Sequence, residues 1–216
     1  MKTGYDEELA QLAASQPSPP EIFVVEQTLL KQLVGYDFHR GVMACGQHPR
    51  LKTLDELPPA AAGDSPLLVV CGVDNPENIG GLMRSAAAFG VSKMVLSDDV
   101  AHPFSRRALR VSMATALQLD FYRLAEPAAE VAQLAEQQGY RTLATTLADG
   151  AVPLQQFVRD QRPLAILVGS EASGLPAEVS ASCTDLLTIP MSPAVNSLNA
   201  NVATAIFLYE LTKRGD

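Results

Sequence analysis

From Leu67 onward the chain alternates two kinds of segment, and this alternation limits the available folds more than any other feature. Short apolar runs at residues 67–73, 93–97, 119–124, 140–145, 164–168 and 185–189 are interleaved with helix-length stretches at 79–89, 104–116, 126–138, 175–181 and 197–213. Runs this short, bounded by polar and Gly-rich turns, read as buried strands. Strands separated by helices predict an α/β fold: a mostly parallel sheet with helices on both faces. In the last helix, Leu198, Val202, Ala205, Ile206 and Tyr209 fall at helical spacing and predict one core-facing apolar stripe.

The residues before Leu67 follow another pattern. Tyr5 to Ala14 suits a short helix, which Pro17, Pro19 and Pro20 then break. Residues 22–46 hold two apolar strand-like runs around a possible helix. Residues 54–66 are rich in Pro and Ala and read as a linker. The expected organisation is a short partial α+β segment at 1–53, a linker at 54–66 and the main domain at 67–216.

Composition removes several classes of function. The chain has 216 residues, 47% of them hydrophobic, enough for a core without disulfide or metal staples. Sixteen Lys and Arg against 24 Asp and Glu give a net charge of −8, which excludes a global basic field for nucleic acid. A local patch remains open: Arg106, Arg107, Arg110 and Arg123 face only Asp120 within residues 101–124. Such a patch is either a solvated helix face or a phosphate-binding surface. Cys45, Cys71 and Cys183 are odd in number and far apart, and His39, His48 and His102 show no ligand spacing. No metal, no membrane span and a cytoplasmic location are therefore expected.

Common motifs fail as well. No GxGxxG or GxSxG is present. Gly169 to Gly174 has P-loop spacing, but Leu175 and Pro176 stand where Lys and Ser or Thr must be. What remains is three polar junctions, each after an apolar strand, where open α/β sheets bind ligands. The first, GVDNPENIGGLMRSAAAFG at 72–90, carries N-capping groups around Asn75 to Asn78. Its Gly80 and Gly81 sit inside a helical pattern, which signals a close approach to the backbone. Arg84 stands off its apolar stripe. The second, AILVGSEASGLP at 165–176, carries Glu171, which suits either a helix start or a site. The third, at 186–210, runs from Ile189-Pro190-Met191 to Ser197-Leu198-Asn199. Ser197 is explained by helix capping, whereas Asn199 and Asn201 are weak helix formers placed early in a helix.

In this order and spacing the three junctions, with FSRRALRVSMATA at 104–116, resemble the SpoU-type RNA 2′-O-ribose methyltransferases of the SPOUT superfamily over about residues 67–213. The resemblance implies a C-terminal deep trefoil knot, although knots are otherwise nearly absent from proteins. It implies a homodimer, an S-adenosylmethionine pocket and an RNA substrate, rRNA first and tRNA second. By position, Gly169, Ile189 and Leu198, with Met191 and Thr145, would hold the methyl donor, and a side chain added at Gly169 would fill the donor's space. Asn78, Arg84, Glu171, Ser197 and Asn199 match the polar active-site positions, and Arg106, Arg107 and Arg110 would meet RNA phosphates. A guanidinium is a poor base, so Arg84 is expected to stabilise charge, with Asn78 and Ser197 placing the ribose and Glu171 holding Arg84 or a loop.

Two residues depart from the family pattern: Pro193 and Ala114 stand where many members have Gly. The N-terminal segment is also shorter than the RNA-binding domain of many members. A non-catalytic RNA-binding or assembly factor on the same fold, and a small-molecule α/β enzyme with similar turns, are the rival readings.

Overall fold

The computed structural model describes residues 6–35, 41–61, 63–192, 194–195 and 197–212. The chain divides into two units, residues 1–48 and 49–216.

The described part of the first unit holds helices α1 (Asp6–Ala14) and α2 (Gln27–Val34). Helix α2 stops where Gly35 adopts a left-handed conformation, its N–H donating to the Lys31 carbonyl at 2.9 Å. The apolar run at 22–25 pairs with no strand among the described residues, and Phe23 and Val24 are exposed. A lone apolar run has no ladder to join, so the expected strand does not form.

The second unit runs β1 (Leu67–Val70), α3 (Pro76–Ala88), β2 (Lys93–Ser97), α4 (Arg106–Val111), β3 (Asp120–Leu124) and α5 (Pro127–Glu136). It continues through β4 (Arg141–Thr145), β5 (Val152–Pro153), β6 (Leu164–Val168), α6 (Ala177–Ala181), β7 (Asp185–Thr188) and α7 (Ala200–Thr212). The seven strands lie in the order β3-β2-β1-β6-β4-β7-β5, every pairing parallel. Strand periodicity divides the core in two. Leu68, Val70, Met94, Leu96, Ile166 and Val168 pack with Ile79 and Met83 of α3 and with Phe207 and Leu208 of α7. Leu67, Val69, Val95, Ala165 and Leu167 face the other way, toward Val131 and Leu134 of α5 and Val179 of α6.

Four sequence expectations shift. The second unit begins at Pro49, inside the segment assigned to the N-terminal part. Lys52 bridges Tyr122 beside β3, and Leu54 and Leu57 are buried in the second core, so these residues dock on the sheet edge instead of spacing two domains. The short strand β5 was not anticipated, because Val152–Pro153 is too brief to carry a period. The helix expected over 104–116 ends at Val111, because Met113 and Ala114 both take positive φ and break the ladder. Finally, α7 presents a different face. It buries Ala200, Thr204, Phe207, Leu208 and Leu211, while Val202, Ile206 and Tyr209 are 49%, 38% and 57% exposed. Leu198 precedes the helix. A helix apolar on nearly every side has two faces that could go inward, and spacing alone does not choose between them.

Candidate active site

Helix α3 starts at the carboxyl end of the central strand β1. Asn75 caps it, its Oδ1 accepting the Glu77 N–H at 2.9 Å, and Pro76 occupies the first turn where its missing N–H costs nothing. This start puts Asn78 on the first turn with only 8% of its surface exposed. The two glycines that follow are forced by close packing, as expected from their cost in a helix. A Cβ on Gly80 would stand 2.6 Å from Val111 Cβ and 2.9 Å from the Ala108 carbonyl of α4, and one on Gly81 would overlap the Asn201 carboxamide of α7.

The three junctions converge at this helix start. Asn199 Nδ2 donates to Glu171 Oε1 and, at 3.4 Å, to Asn78 Oδ1. Glu171 Oε1 also accepts the Ala200 N–H at 3.2 Å, and Asn199 Oδ1 accepts the Asn201 N–H at 2.9 Å. Asn201 Nδ2 reaches Asn78 Oδ1 at 3.5 Å. The first orphan N–H groups of α7 are thus satisfied by Glu171 and Asn199, not by Ser197. Ser197 is exposed and lies before the helix. Asn201 joins the network although no site role was assigned to it. Its signal in the sequence was an Asn within the first turn of a helix.

Beside the network opens a cavity of about 430 Å³, lined by residues 72–75, Asn78 and residues 170–173. Its walls are the β1–α3 turn and the hairpin-like turn after β6, which Ser170 and Ser173 close through mutual hydroxyl and backbone hydrogen bonds. Behind Gly72, whose φ is +67°, the Asp99 carboxylate accepts the Gly72 N–H at 3.1 Å and the Ser97 hydroxyl. Burial, and then the Asp99 charge, push the adjacent Cys71 thiol up to about 12.

Other site residues stand apart from this cluster. Arg84 is exposed on α3, makes no hydrogen bond or ion pair with any described residue, and does not line the cavity. Gly169, Thr145 and Ile189 sit at or just past the carboxyl ends of the neighbouring strands β6, β4 and β7, with Met191 and Leu198 half-buried further along. Gly169 has a reason of its own within the chain. A Cβ there would overlap the backbone of Gly174 and Leu175, so the chain's own returning turn demands the glycine. Pro193 lies outside the described residues. In the basic segment, Arg107 is paired with Glu77, Nε to Oε1 at 2.8 Å, and Arg123 with Asp98 at 2.5 and 2.6 Å. The local excess of charge counted along the sequence is therefore reduced in space, because the matching acids come from other segments.

The strand ends here are uncharged and carry backbone groups, with Ile189, Met191 and Leu198 following them in the chain.

Comparison with known proteins bears on the family and the fold. A family model described as "SpoU rRNA Methylase family" matches residues 65–209. A Mycobacterium tuberculosis protein named as an uncharacterised tRNA/rRNA methyltransferase is 34% identical over 87% of this chain and 64% of its own length, so the chain spans under two thirds of that relative. The 23S rRNA (guanosine-2′-O-)-methyltransferase of Acinetobacter baylyi is 29% identical over 98% of this chain and 86% of its own. An AdoMet-bound rRNA methyltransferase structure from Sinorhizobium meliloti superposes with a TM-score of 0.83 at 23% identity, covering 96% of this chain and 75% of that one. The fold is thus the α/β class expected, a mostly parallel sheet with a C-terminal trefoil knot and a preceding N-terminal segment.

Proposed function

The chain belongs to the SpoU rRNA methylase family, and on that premise we propose that it transfers the methyl group of S-adenosylmethionine to a ribose 2′-hydroxyl of ribosomal RNA, with tRNA the second choice. The observation that carries this reading is the joining of Asn78, Glu171 and Asn199, from three distant junctions, beside a cavity at the carboxyl ends of the strands. The name of the Acinetobacter relative supports the ribose hydroxyl and the rRNA.

When bound, S-adenosylmethionine supplies a methyl group on a positively charged sulfur, open to in-line attack. Gly169, Thr145, Ile189, Met191 and Leu198 would hold it, with neutral groups around the sulfonium. Glu171 fixes the start of α7 through Ala200 and Asn199, so its carboxylate holds a loop and not Arg84. Asn78 and Asn199 are thereby locked at the cavity edge, ready to orient a ribose, and proximity of this kind supplies much of the rate. Ser197, exposed just before them, serves the same ribose. Arg84, exposed and without a partner among the described residues, is available to an RNA phosphate and to the alkoxide that develops as the hydroxyl loses its proton.

The protein acts as a homodimer in this reading, because Val202, Ile206 and Tyr209 leave an apolar stripe on the outer side of α7.

Labelled S-adenosylmethionine incubated with total RNA tests the proposal. Transfer to ribose is expected from the wild-type chain. Arg84→Ala should bind the donor normally yet lose on the order of 10²-fold in methyl transfer. No transfer by the wild type would return the reading to a non-catalytic RNA-binding factor, and full activity in Arg84→Ala would remove Arg84 from the chemistry.

A further inference from the structure

The direction of every bond in the amide cluster follows from its ends. An ionised carboxylate only accepts hydrogen bonds, so Asn199 must turn Nδ2 toward Glu171 Oε1. Its other end agrees, since Asn199 Oδ1 accepts the Asn201 N–H at 2.9 Å. The second hydrogen on Asn199 Nδ2 goes to Asn78 at 3.4 Å, and Asn78 must meet it with Oδ1. Asn201 Nδ2 addresses the same oxygen at 3.5 Å. To do so it leaves its own Oδ1 buried with no partner among the described residues, a costly arrangement. Gly81 is what admits this side chain, because a Cβ there would overlap the Asn201 carboxamide. With Oδ1 held by two donors, Asn78 turns Nδ2 away from both asparagines. Asn78 is 8% exposed and lines the cavity, and its Nδ2 meets no acceptor among the described residues. The backbone N–H groups of Val73, Asp74, Asn75, Glu171 and Ala172 line the same cavity and also meet no acceptor there.

We propose that Asn201 is a positioning residue. Together with the Glu171–Asn199 pair it fixes the Asn78 amide, so that Asn78 serves the site only as a donor and gives an Nδ2 hydrogen to an oxygen of the target ribose. This rests on the reading of the site as an RNA ribose methyltransferase. A carboxamide left free can present either end, because its oxygen and nitrogen are alike in size and differ in hydrogen-bonding sense. Presented by its oxygen, Asn78 would set a lone pair against the negative charge that grows on the ribose during transfer. Presented by its nitrogen, it stabilises that charge, and an amide fixed in advance need not turn as the reaction proceeds. The donor sense is thus set by Glu171 at one end of the cluster and reinforced by Asn201 at the other.

The test measures kcat and KM for methyl transfer by the full chain, from labelled S-adenosylmethionine to an unmodified rRNA transcript. Calorimetry follows binding of S-adenosylmethionine, and thermal melts follow folding. In Asn78→Asp the carboxylate still accepts from Asn199 and Asn201 but shows the cavity an acceptor. This variant should melt near the wild type and bind S-adenosylmethionine normally, while kcat falls on the order of 10²-fold. Asn201→Ala leaves Asn199 still addressing Asn78 Oδ1, so kcat should fall by only about 3- to 10-fold. Asn201→Asp is closer to the native shape yet should cost more than Asn201→Ala, because its carboxylate would face Asn78 Oδ1 and draw the amide round. A merely bracing side chain would give the opposite order. An active Asn78→Asp, or a loss there confined to KM, would overturn donation to the reacting ribose. Full activity in Asn201→Ala, or a greater loss there than in Asn201→Asp, would overturn the positioning role. No transfer by the wild type would sink the proposed function and this inference with it.

Discussion

Met113 and Ala114 hold φ of 54° and 64°, a region that costs an L-residue about 1–2 kcal/mol. They let the chain turn out of α4, with the Ala114 N–H donating to the Leu109 carbonyl at 3.0 Å. Ala114→Gly should therefore raise stability by about 0.5–1 kcal/mol, after the glycine's greater unfolded freedom is subtracted. Urea unfolding measures this, and a lowered midpoint would show that the Ala114 methyl group is itself needed. The thiols give a second expectation. Cys71 and Cys183 are pushed up to about 12, chiefly by burial, whereas Cys45 is exposed. A thiol reagent at neutral pH should modify one cysteine quickly and the other two only on unfolding. Three fast thiols would contradict the buried position of Cys71 and the half-buried one of Cys183. The sign of the pH effect follows. The folded chain retains protons that the unfolded chain sheds above the ordinary thiol value of 9.0, so these groups reduce stability as pH climbs from there toward 12.

Helix α3 is held between α4 and α7 by its two glycines, and the neighbours differ in how much they can yield. Gly80→Ala meets a backbone carbonyl and a β-branched side chain, which cannot move aside, so a loss of about 1–3 kcal/mol is expected. Gly81→Ala meets only the Asn201 carboxamide, which can rotate at the cost of its bond to Asn78. Its stability should fall less than that of Gly80→Ala while methyl transfer falls more, and thermal melts beside the transfer assay separate the two. The reverse order would show that the Asn201–Asn78 contact does not serve the site. These glycines were legible in the sequence because a glycine inside a helix is costly wherever it occurs. The strands were legible because six runs of buried apolar residues leave no other seat in a sheet. The face of α7 was not legible, since Val202 and Phe207 are equally apolar and only packing decides which goes inward. The pairing of Arg107 with Glu77 was hidden for a similar reason, because thirty positions separate them in the chain. At Gly169 the sequence does not reveal that the returning Gly174–Leu175 turn fills the space above the glycine.

At the scale of the whole molecule, the outer stripe of α7 is the feature most open to test. Ile206→Glu places a charge in the middle of Val202, Ile206 and Tyr209 without touching the buried side of the helix. Light scattering should then report a monomer, with the wild type at twice its mass. A monomeric wild type would end the dimer proposal. The strand order carries a further consequence, for synthesis. Strands β1, β2 and β3 can pair in the order in which they leave the ribosome. Strand β4 finds its place only when β6 arrives between it and β1, in the register that sets Leu67 against Ala165. Until then one edge of β1 presents its backbone to any neighbouring chain. A nascent polypeptide stalled short of Leu164 thus leaves that edge open to pairing with other chains.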